Sequence, residues 1–206
     1  MSALELIGRS SSHFTRVARI FAHELGVAHT FRPVLDLTSS DRAVYADNPA
    51  LKVPVLVDEH GSLFGTENIC RALVRRSGAG SRVVMRGDVQ DREIVNAEEL
   101  TLHVMTAEVT LIMAKWAGDE RLAPPKVARS IENSLDYLDA HIESLQVALP
   151  AERTLSFVEV ALFCVVRHLP FREVMSVASW SRLAAFCDRF GERAAAKTTE
   201  YRFDTA

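Results

Sequence analysis

Strand-like apolar runs interleave with helical stripes as far as Gly78, and beyond that point the apolar periodicity is helical throughout. Leu4-Glu5-Leu6-Ile7 reads as a strand and runs into a polar loop, Gly8-Arg9-Ser10-Ser11-Ser12. A helix is predicted from His13 to Leu25, with Phe14, Val17, Ile20 or Phe21, and Leu25 on one face, ending at Gly26. A second strand is predicted over Thr30 to Leu37. A third covers Leu51 to Val57, which is almost all apolar and rich in β-branched residues. The turn cluster Asp58-Glu59-His60-Gly61 follows, then a short strand at Leu63-Phe64, then a helix from about Thr66 to Arg76 that closes at Ser77-Gly78. The order is βαβ followed by ββα, a mixed sheet with helices against it, as in a thioredoxin-like domain.

Residues Ala79 to Gly87, small and basic around Ser81-Arg82, read as a linker, so the predicted domains are 1–78 and 88–206. Asp88 is placed to cap a long helix in which Leu100, Val104, Ala107, Leu111 and Ala114 recur, stopped near Gly118. Pro124-Pro125 suits a first turn, and Val127, Ile131, Leu135, Leu138, Ile142, Leu145 and Leu149 form the stripe behind it. From Phe157 to Val166 the chain is apolar on every side except at Glu159, the mark of a buried helix. Ser156 and Glu159 have capping-box spacing, which makes Glu159 a structural acid. A final helix, Trp180 to Ala196, carries Leu183, Phe186, Cys187 and Phe190. The second half is thus an all-α helical domain.

Two places in the first half carry candidate chemistry. Pro54 lies inside a predicted strand, where a missing N–H normally means a sheet edge. A cis Val53-Pro54 bond would instead turn the Val53 backbone outward, leaving a docking rail for an extended peptide. The pair alone does not choose between these. The start of the first helix is the second place. Thioredoxins and glutaredoxins hold C-x-x-C there, whereas this chain reads Ser12-His13-Phe14-Thr15. A hydroxyl forms no mixed disulfide at neutral pH, which excludes disulfide reductase chemistry.

Three segments, in order, carry a resemblance. Ser12-His13-Phe14-Thr15-Arg16-Val17-Ala18-Arg19-Ile20 resembles the S-P-F-x-R-K-V-R-I opening of the first helix in cytosolic glutathione transferases. Asn48-Pro49-Ala50-Leu51-Lys52-Val53-Pro54-Val55-Leu56 is similar to their N-P-x-G-K-V-P-V-L. The segment from Leu63 to Leu73 resembles L-x-E-S-x-A-I-x-x-Y-L. The chain therefore resembles that superfamily, of the bacterial, theta/zeta-like serine type, more loosely after Gly78.

The resemblance implies glutathione as cosubstrate and a small apolar electrophile as its target, a detoxification chemistry. Ser12 would donate a hydrogen bond to the glutathione thiolate, with Ser11 and Ser10 the alternatives, since a loop shift of one residue exchanges their places. A thiol of pKa about 8.5 lowered by two units requires roughly 2.7 kcal/mol, within reach of a hydroxyl and a helix N-terminus together. The thiolate is then the nucleophile. Val53, ahead of Pro54, would pair its backbone with the cysteinyl part of the ligand. Lys52 would approach the glycine carboxylate, or is a solvated surface lysine. Thr66 would hold the γ-glutamyl carboxylate at a helix start. Gly65 stands where many relatives have Glu or Gln; Glu67 would reach the ligand ammonium in its place, or is a first-turn acid favoured by the helix dipole. His13 replaces the usual proline. Met105, Met113 and Trp116 either line an electrophile pocket or belong to the core. The alternative function is a non-catalytic binding or dimerisation module of the same fold.

Family resemblance also implies a homodimer, with Arg71, Arg75 and Arg76 meeting Glu93, Glu98 and Glu99 of a second copy. A net charge of −3 and pI near 6.2 argue against nucleic acid as the main partner. The start of the chain has no signal-peptide pattern and no apolar run approaches a membrane span, so a cytoplasmic location off the membrane is expected. Cys70, Cys164 and Cys187 are widely spaced and read as buried free thiols. The other histidines show no ligand spacing, and no metal site is expected.

Overall fold

A computed structural model describes residues 4–205. The four strands of the main sheet are β1 (Glu5–Gly8), β2 (Thr30–Pro33), β3 (Val55–Asp58) and β4 (Gly61–Phe64). Seven α-helices follow in chain order: α1 (His13–Glu24), α2 (Thr66–Ser77), α3 (Arg92–Ala117), α4 (Pro125–Ala148), α5 (Phe157–Phe171), α6 (Ser181–Gly191) and α7 (Ala194–Thr198). They form two compact units, residues 1–83 with 194–206, and residues 84–193. Among the described residues, no helix is long and apolar enough to cross a membrane.

The first unit is built on a sheet of order β2-β1-β3-β4, with β1 parallel to β2 and antiparallel to β3, and β3 antiparallel to β4. Both long strands are cut short of their predicted limits. β2 ends at Pro33 rather than Leu37, because Pro33 offers no donor and Asp36 folds the chain by accepting from the N–H (2.8 Å) and hydroxyl (2.6 Å) of Thr38. β3 begins at Val55 rather than Leu51, since Leu51 has φ +52° and belongs to the preceding turn. α1 starts where Ser12 accepts from Thr15 N–H at 3.3 Å, and it ends at Gly26, whose φ of +62° admits glycine readily. Its apolar face supplies Val17, Ile20 and Phe21 to the core, with Leu6 and Ile69.

In the second unit α3 is capped by Asp91, which accepts from Glu93 N–H (2.8 Å) and Ile94 N–H (3.3 Å). The predicted cap, Asp88, instead accepts from Met85 N–H at 2.8 Å. α4 buries Ile131, Leu135, Leu138, Ile142 and Leu145, and α5 is buried continuously from Phe157 to Val166. Two acids of α4 fasten the start of α6: Asp136 accepts from Trp180 Nε1 and Asp139 from Leu183 N–H, at 2.8 and 2.9 Å. Cys164 and Cys187 lie buried in this unit and outside any disulfide, as Cys70 does in the first.

The capping box expected at Ser156 and Glu159 does not form. The Ser156 hydroxyl is buried without a hydrogen-bond partner among the described residues, while Glu159 accepts twice from Arg153, both at 2.8 Å. Arg153 in turn donates to the carbonyls of Leu149 and Pro150 at the end of α4, at 3.3 and 3.0 Å. A guanidinium supplies two bonds with charge on both partners where a backbone N–H supplies one, so the carboxylate follows the arginine.

The predicted final helix is two helices. α6 stops at Gly191, and the chain resumes as α7 at Ala194 within the first unit, not the second. Arg16 donates to Ala196 O at 3.1 Å and lies 4.2 Å from the centroid of the Tyr201 ring, holding α7 and the tail against α1.

Candidate active site

Sheet register brings three loops to one end of the first unit. Ile7 of β1 lies opposite Val55 of β3, and Val55 opposite Phe64 of β4. The 8–12 loop, the Val53-Pro54 pair and the Gly65-Thr66 step therefore leave or enter the sheet side by side. Thr66 opens α2, and its hydroxyl approaches Phe14 O in the first turn of α1 at 3.5 Å. Two helix N-termini thus converge on the same edge, a setting that favours anions.

The loop before α1 is a tight turn closed by Ser12 N–H donating to Arg9 O at 3.0 Å. Ser10 and Ser11 occupy its corner and are buried, at 1% and 3% exposure, whereas Ser12 is half-buried. As the N-cap, Ser12 uses an oxygen lone pair for Thr15 N–H, which leaves its hydroxyl proton to be donated elsewhere. Ser11 is packed inside the turn.

Val53-Pro54 is a cis peptide with Pro54 buried and Val53 half-buried, one residue and two residues ahead of Val55 respectively. The approach to it is organised by Asn48, which the sequence motif contains but to which no role was assigned. This buried side chain donates to Lys52 O at 2.8 Å and accepts from Ala50 N–H at 3.0 Å. Asn48 holds the turn, and the Lys52 side chain stays exposed. On α2, Arg71 binds the Glu67 carboxylate through two nitrogens at 3.1 and 3.0 Å. Glu67 is thereby engaged along its own helix, in the i,i+4 arrangement. Gly65 has φ +89°, a backbone that a Glu or Gln would adopt only under strain.

Behind the serine turn lies a charged cluster that sequence reasoning missed. Arg16 and Arg19 of α1 are both buried. Arg19 donates to Ser10 Oγ at 3.4 Å and stacks 4.6 Å from the Phe31 ring centroid. Burial lowers its pKa, Arg202 and Arg16 add to the lowering, and Asp204 opposes it. The only available signal was two arginines spaced i,i+3 on an otherwise apolar helix.

Of the Met and Trp residues on α3, Met105 is buried in the core while Met113 and Trp116 are exposed. The second unit also holds a buried acid–histidine pair, Glu108 Oε1 and His168 Nδ1 at 2.7 Å.

Residues 6–81 match the glutathione S-transferase N-terminal domain family. The uncharacterized GST-like protein YibF of Escherichia coli (strain K12) is 26% identical over 177 residues, covering 83% of this chain and 84% of that protein. Residues 6–81 therefore form a domain of the glutathione S-transferase N-terminal type. Solved glutathione S-transferases share the fold over nearly the full length. One from Methylobacillus flagellatus KT, with glutathione bound, superposes at TM-score 0.77 and 22% identity, covering 97% of this chain and all 100% of that one. Another, from Methylobacterium radiotolerans JCM 2831 in complex with glutathione sulfonate, gives 0.74 and 19%, covering 99% and 98%. The serine turn, the Val53-Pro54 pair and the Thr66 helix start all fall inside the glutathione S-transferase N-terminal match.

Proposed function

We propose that this protein is a glutathione transferase of the serine type, in which Ser12 stabilises the thiolate of bound glutathione for attack on a small apolar electrophile. The observation that carries the reading is the N-cap geometry of Ser12: its oxygen accepts from Thr15 N–H, so its proton is left for a ligand at the positive end of α1. Thr66 at the start of α2 and the Val53 backbone ahead of β3 supply the γ-glutamyl and cysteinyl contacts on the same sheet end. Glutathione bound in the Methylobacillus flagellatus structure and glutathione sulfonate in the Methylobacterium radiotolerans one support this ligand class. Glu67 is left out of the ligand contacts because Arg71 holds it.

Isothermal titration with reduced glutathione, followed by turnover with chlorodinitrobenzene-type and other apolar electrophiles, tests the proposal. Binding with turnover is expected, and no heat at millimolar glutathione would remove it.

A second reading, a binding module without turnover, is favoured by one observation. With Gly65 lacking a side chain and Glu67 already paired, the γ-glutamyl ammonium has fewer anchors. Binding without turnover of any electrophile would select this reading. Association into a homodimer belongs to either. Arg71 and Arg76 are committed within the chain to Glu67 and to Asp58 and Glu59, and Glu98 and Glu99 to Gly87 N–H and Arg86. Arg75 and Glu93 then remain as the charge pair across the two-fold axis, and light scattering should give twice 22.9 kDa.

A further inference from the structure

We propose that Asp204, in the C-terminal tail, is a positioning residue for the thiol-activating serine. The inference rests on the transferase reading above and extends it to a segment that no motif covers. The Asp204 carboxylate accepts from Ser10 N–H at 2.7 Å, across a sequence separation of 194 residues. Its side chain is only 6% exposed, with Arg202 Nε at 3.9 Å from the other oxygen. Ser10 is the first corner residue of the turn that Ser12 N–H closes onto Arg9 O at 3.0 Å. Two bonds therefore fix the turn at opposite points: the tail holds its corner, and the turn's own closure delivers Ser12 to the start of α1.

A buried carboxylate is costly unless it is compensated, and here the compensation is specific. It meets an N–H that nothing else in the turn satisfies, and its charge opposes the lowering of the buried Arg19 guanidinium. Arg19 itself reaches the same residue through Ser10 Oγ at 3.4 Å. The chain leading to Asp204 is held at two points, by Arg16 on Ala196 O and by Arg16 against Tyr201. Without the carboxylate, the buried Ser10 N–H is left unpaired and the turn relaxes toward a conformation that pairs it. Ser12, two residues on, shifts with the turn, and its hydroxyl loses alignment with the thiolate.

The two effects of Asp204 on a bound thiol have opposite signs, which makes the role separable. Loss of positioning raises the thiol pKa, because a charge-assisted hydrogen bond is lost. Loss of a nearby negative charge lowers it. Asp204→Ala removes both the acceptor and the charge, whereas Asp204→Asn removes the charge and keeps an oxygen that accepts from Ser10 N–H.

The thiolate absorbance of glutathione bound to the full-length protein is titrated against pH for the parent and both variants, with Kd and thermal midpoint measured alongside. Asp204→Ala is expected to move the thiol titration to higher pH with Kd little changed, as for loss of the Ser12 hydroxyl itself. Asp204→Asn should keep the parent Kd and leave the thiol titration at or below the parent's. Thermal midpoints lowered alike in both variants, with both thiol titrations unmoved, would make the tail a stability element and overturn the proposal. Asp204→Asn as impaired as Asp204→Ala would overturn it too, by assigning the effect to charge. A parent protein that binds no glutathione overturns the transferase reading and this inference together; a parent that binds, with an unaltered alanine variant, overturns this inference alone.

Discussion

Gly8 and Thr15 are packed so closely that a Cβ on Gly8 would stand 2.3 Å from Cγ2 and 2.6 Å from Oγ1 of Thr15. Thr15 is fully buried, and a β-branched side chain on a helix has few rotamers to move into. The same Thr15 donates its N–H to Ser12 Oγ and accepts from Arg9 N–H at 3.3 Å, so its position sets both ends of the serine turn. Gly8→Ala should therefore destabilise the fold by about 1–3 kcal/mol through overpacking and weaken glutathione binding as well. Urea unfolding and titration calorimetry on the same preparation check it. An alanine variant with the parent's midpoint and affinity would mean that α1 shifts freely at its start.

Ser12→Ala should reduce conjugation by ten- to a hundredfold, roughly 1.4–2.8 kcal/mol on the rate scale, with glutathione affinity little changed. Stability should fall too, by about 1 kcal/mol, because the α1 cap is lost. Steady-state kinetics with saturating glutathione separates the two effects. Ser11 is buried in the turn corner. Its alanine variant should keep the rate, and an inactive Ser11→Ala beside an active Ser12→Ala would transfer the role to Ser11.

Thr66→Val tests the other helix terminus. Its hydroxyl has only a long contact, 3.5 Å to Phe14 O, so little native bonding is lost with it. If it serves the γ-glutamyl carboxylate, the variant should bind glutathione more weakly by about 1.5–3 kcal/mol at an unchanged thermal midpoint. Equal affinities would move attention to the α2 backbone donors alone.

Element order was legible because apolar runs in the first unit are short, distinct and bounded by turn residues. Strand limits were less so: Pro33 and Leu51 end β2 and delay β3 through backbone effects that apolar pattern does not encode. The three motif segments indicated Ser12, Val53-Pro54 and Thr66, and the register Ile7–Val55–Phe64 places them at one sheet end. Asp204 left no trace in the sequence, since the tail after Thr198 has no periodicity and the Asp204 carboxylate meets a residue 194 positions away, Ser10. Glu159 was read as structural, yet its partner Arg153 lies upstream of the box spacing that suggested one.

Burial pushes the Glu108 carboxyl above its ordinary pKa, against the hydrogen bond and charge of His168 and the charge of Arg172. A folded-state pKa raised above the unfolded one gives a contribution fully present below about pH 4.3 and lost as pH rises through the folded value. Glu108→Gln removes that titration while keeping an oxygen for His168. Its stability, followed by urea unfolding from pH 4 to pH 8, should decline less with rising pH than the parent's. Parallel profiles would show that the carboxyl stays in one protonation state across the range.

Ser156 and Glu159 make the last test, because the two possible cap arrangements predict opposite rankings. In a capping box, Ser156→Ala removes a bond to a helix N–H and costs about 1 kcal/mol. In this structure the hydroxyl is buried without a partner among the described residues, so its removal takes away an unsatisfied group and should leave stability unchanged or slightly raised. Glu159→Ala behaves in the reverse way. It strips Arg153 of two bonds at 2.8 Å, and Arg153 is the side chain that also bonds the carbonyls of Leu149 and Pro150 just past α4. Both side chains are mostly buried, 15% and 12% exposed, so the stranded guanidinium should cost about 3 kcal/mol. Thermal unfolding of the two variants and of Arg153→Met decides the matter. Ser156→Ala should keep the parent midpoint, Glu159→Ala should lose most, and Arg153→Met should fall between, since it removes the charge together with its bonds. A Ser156→Ala variant as unstable as Glu159→Ala would restore the capping box.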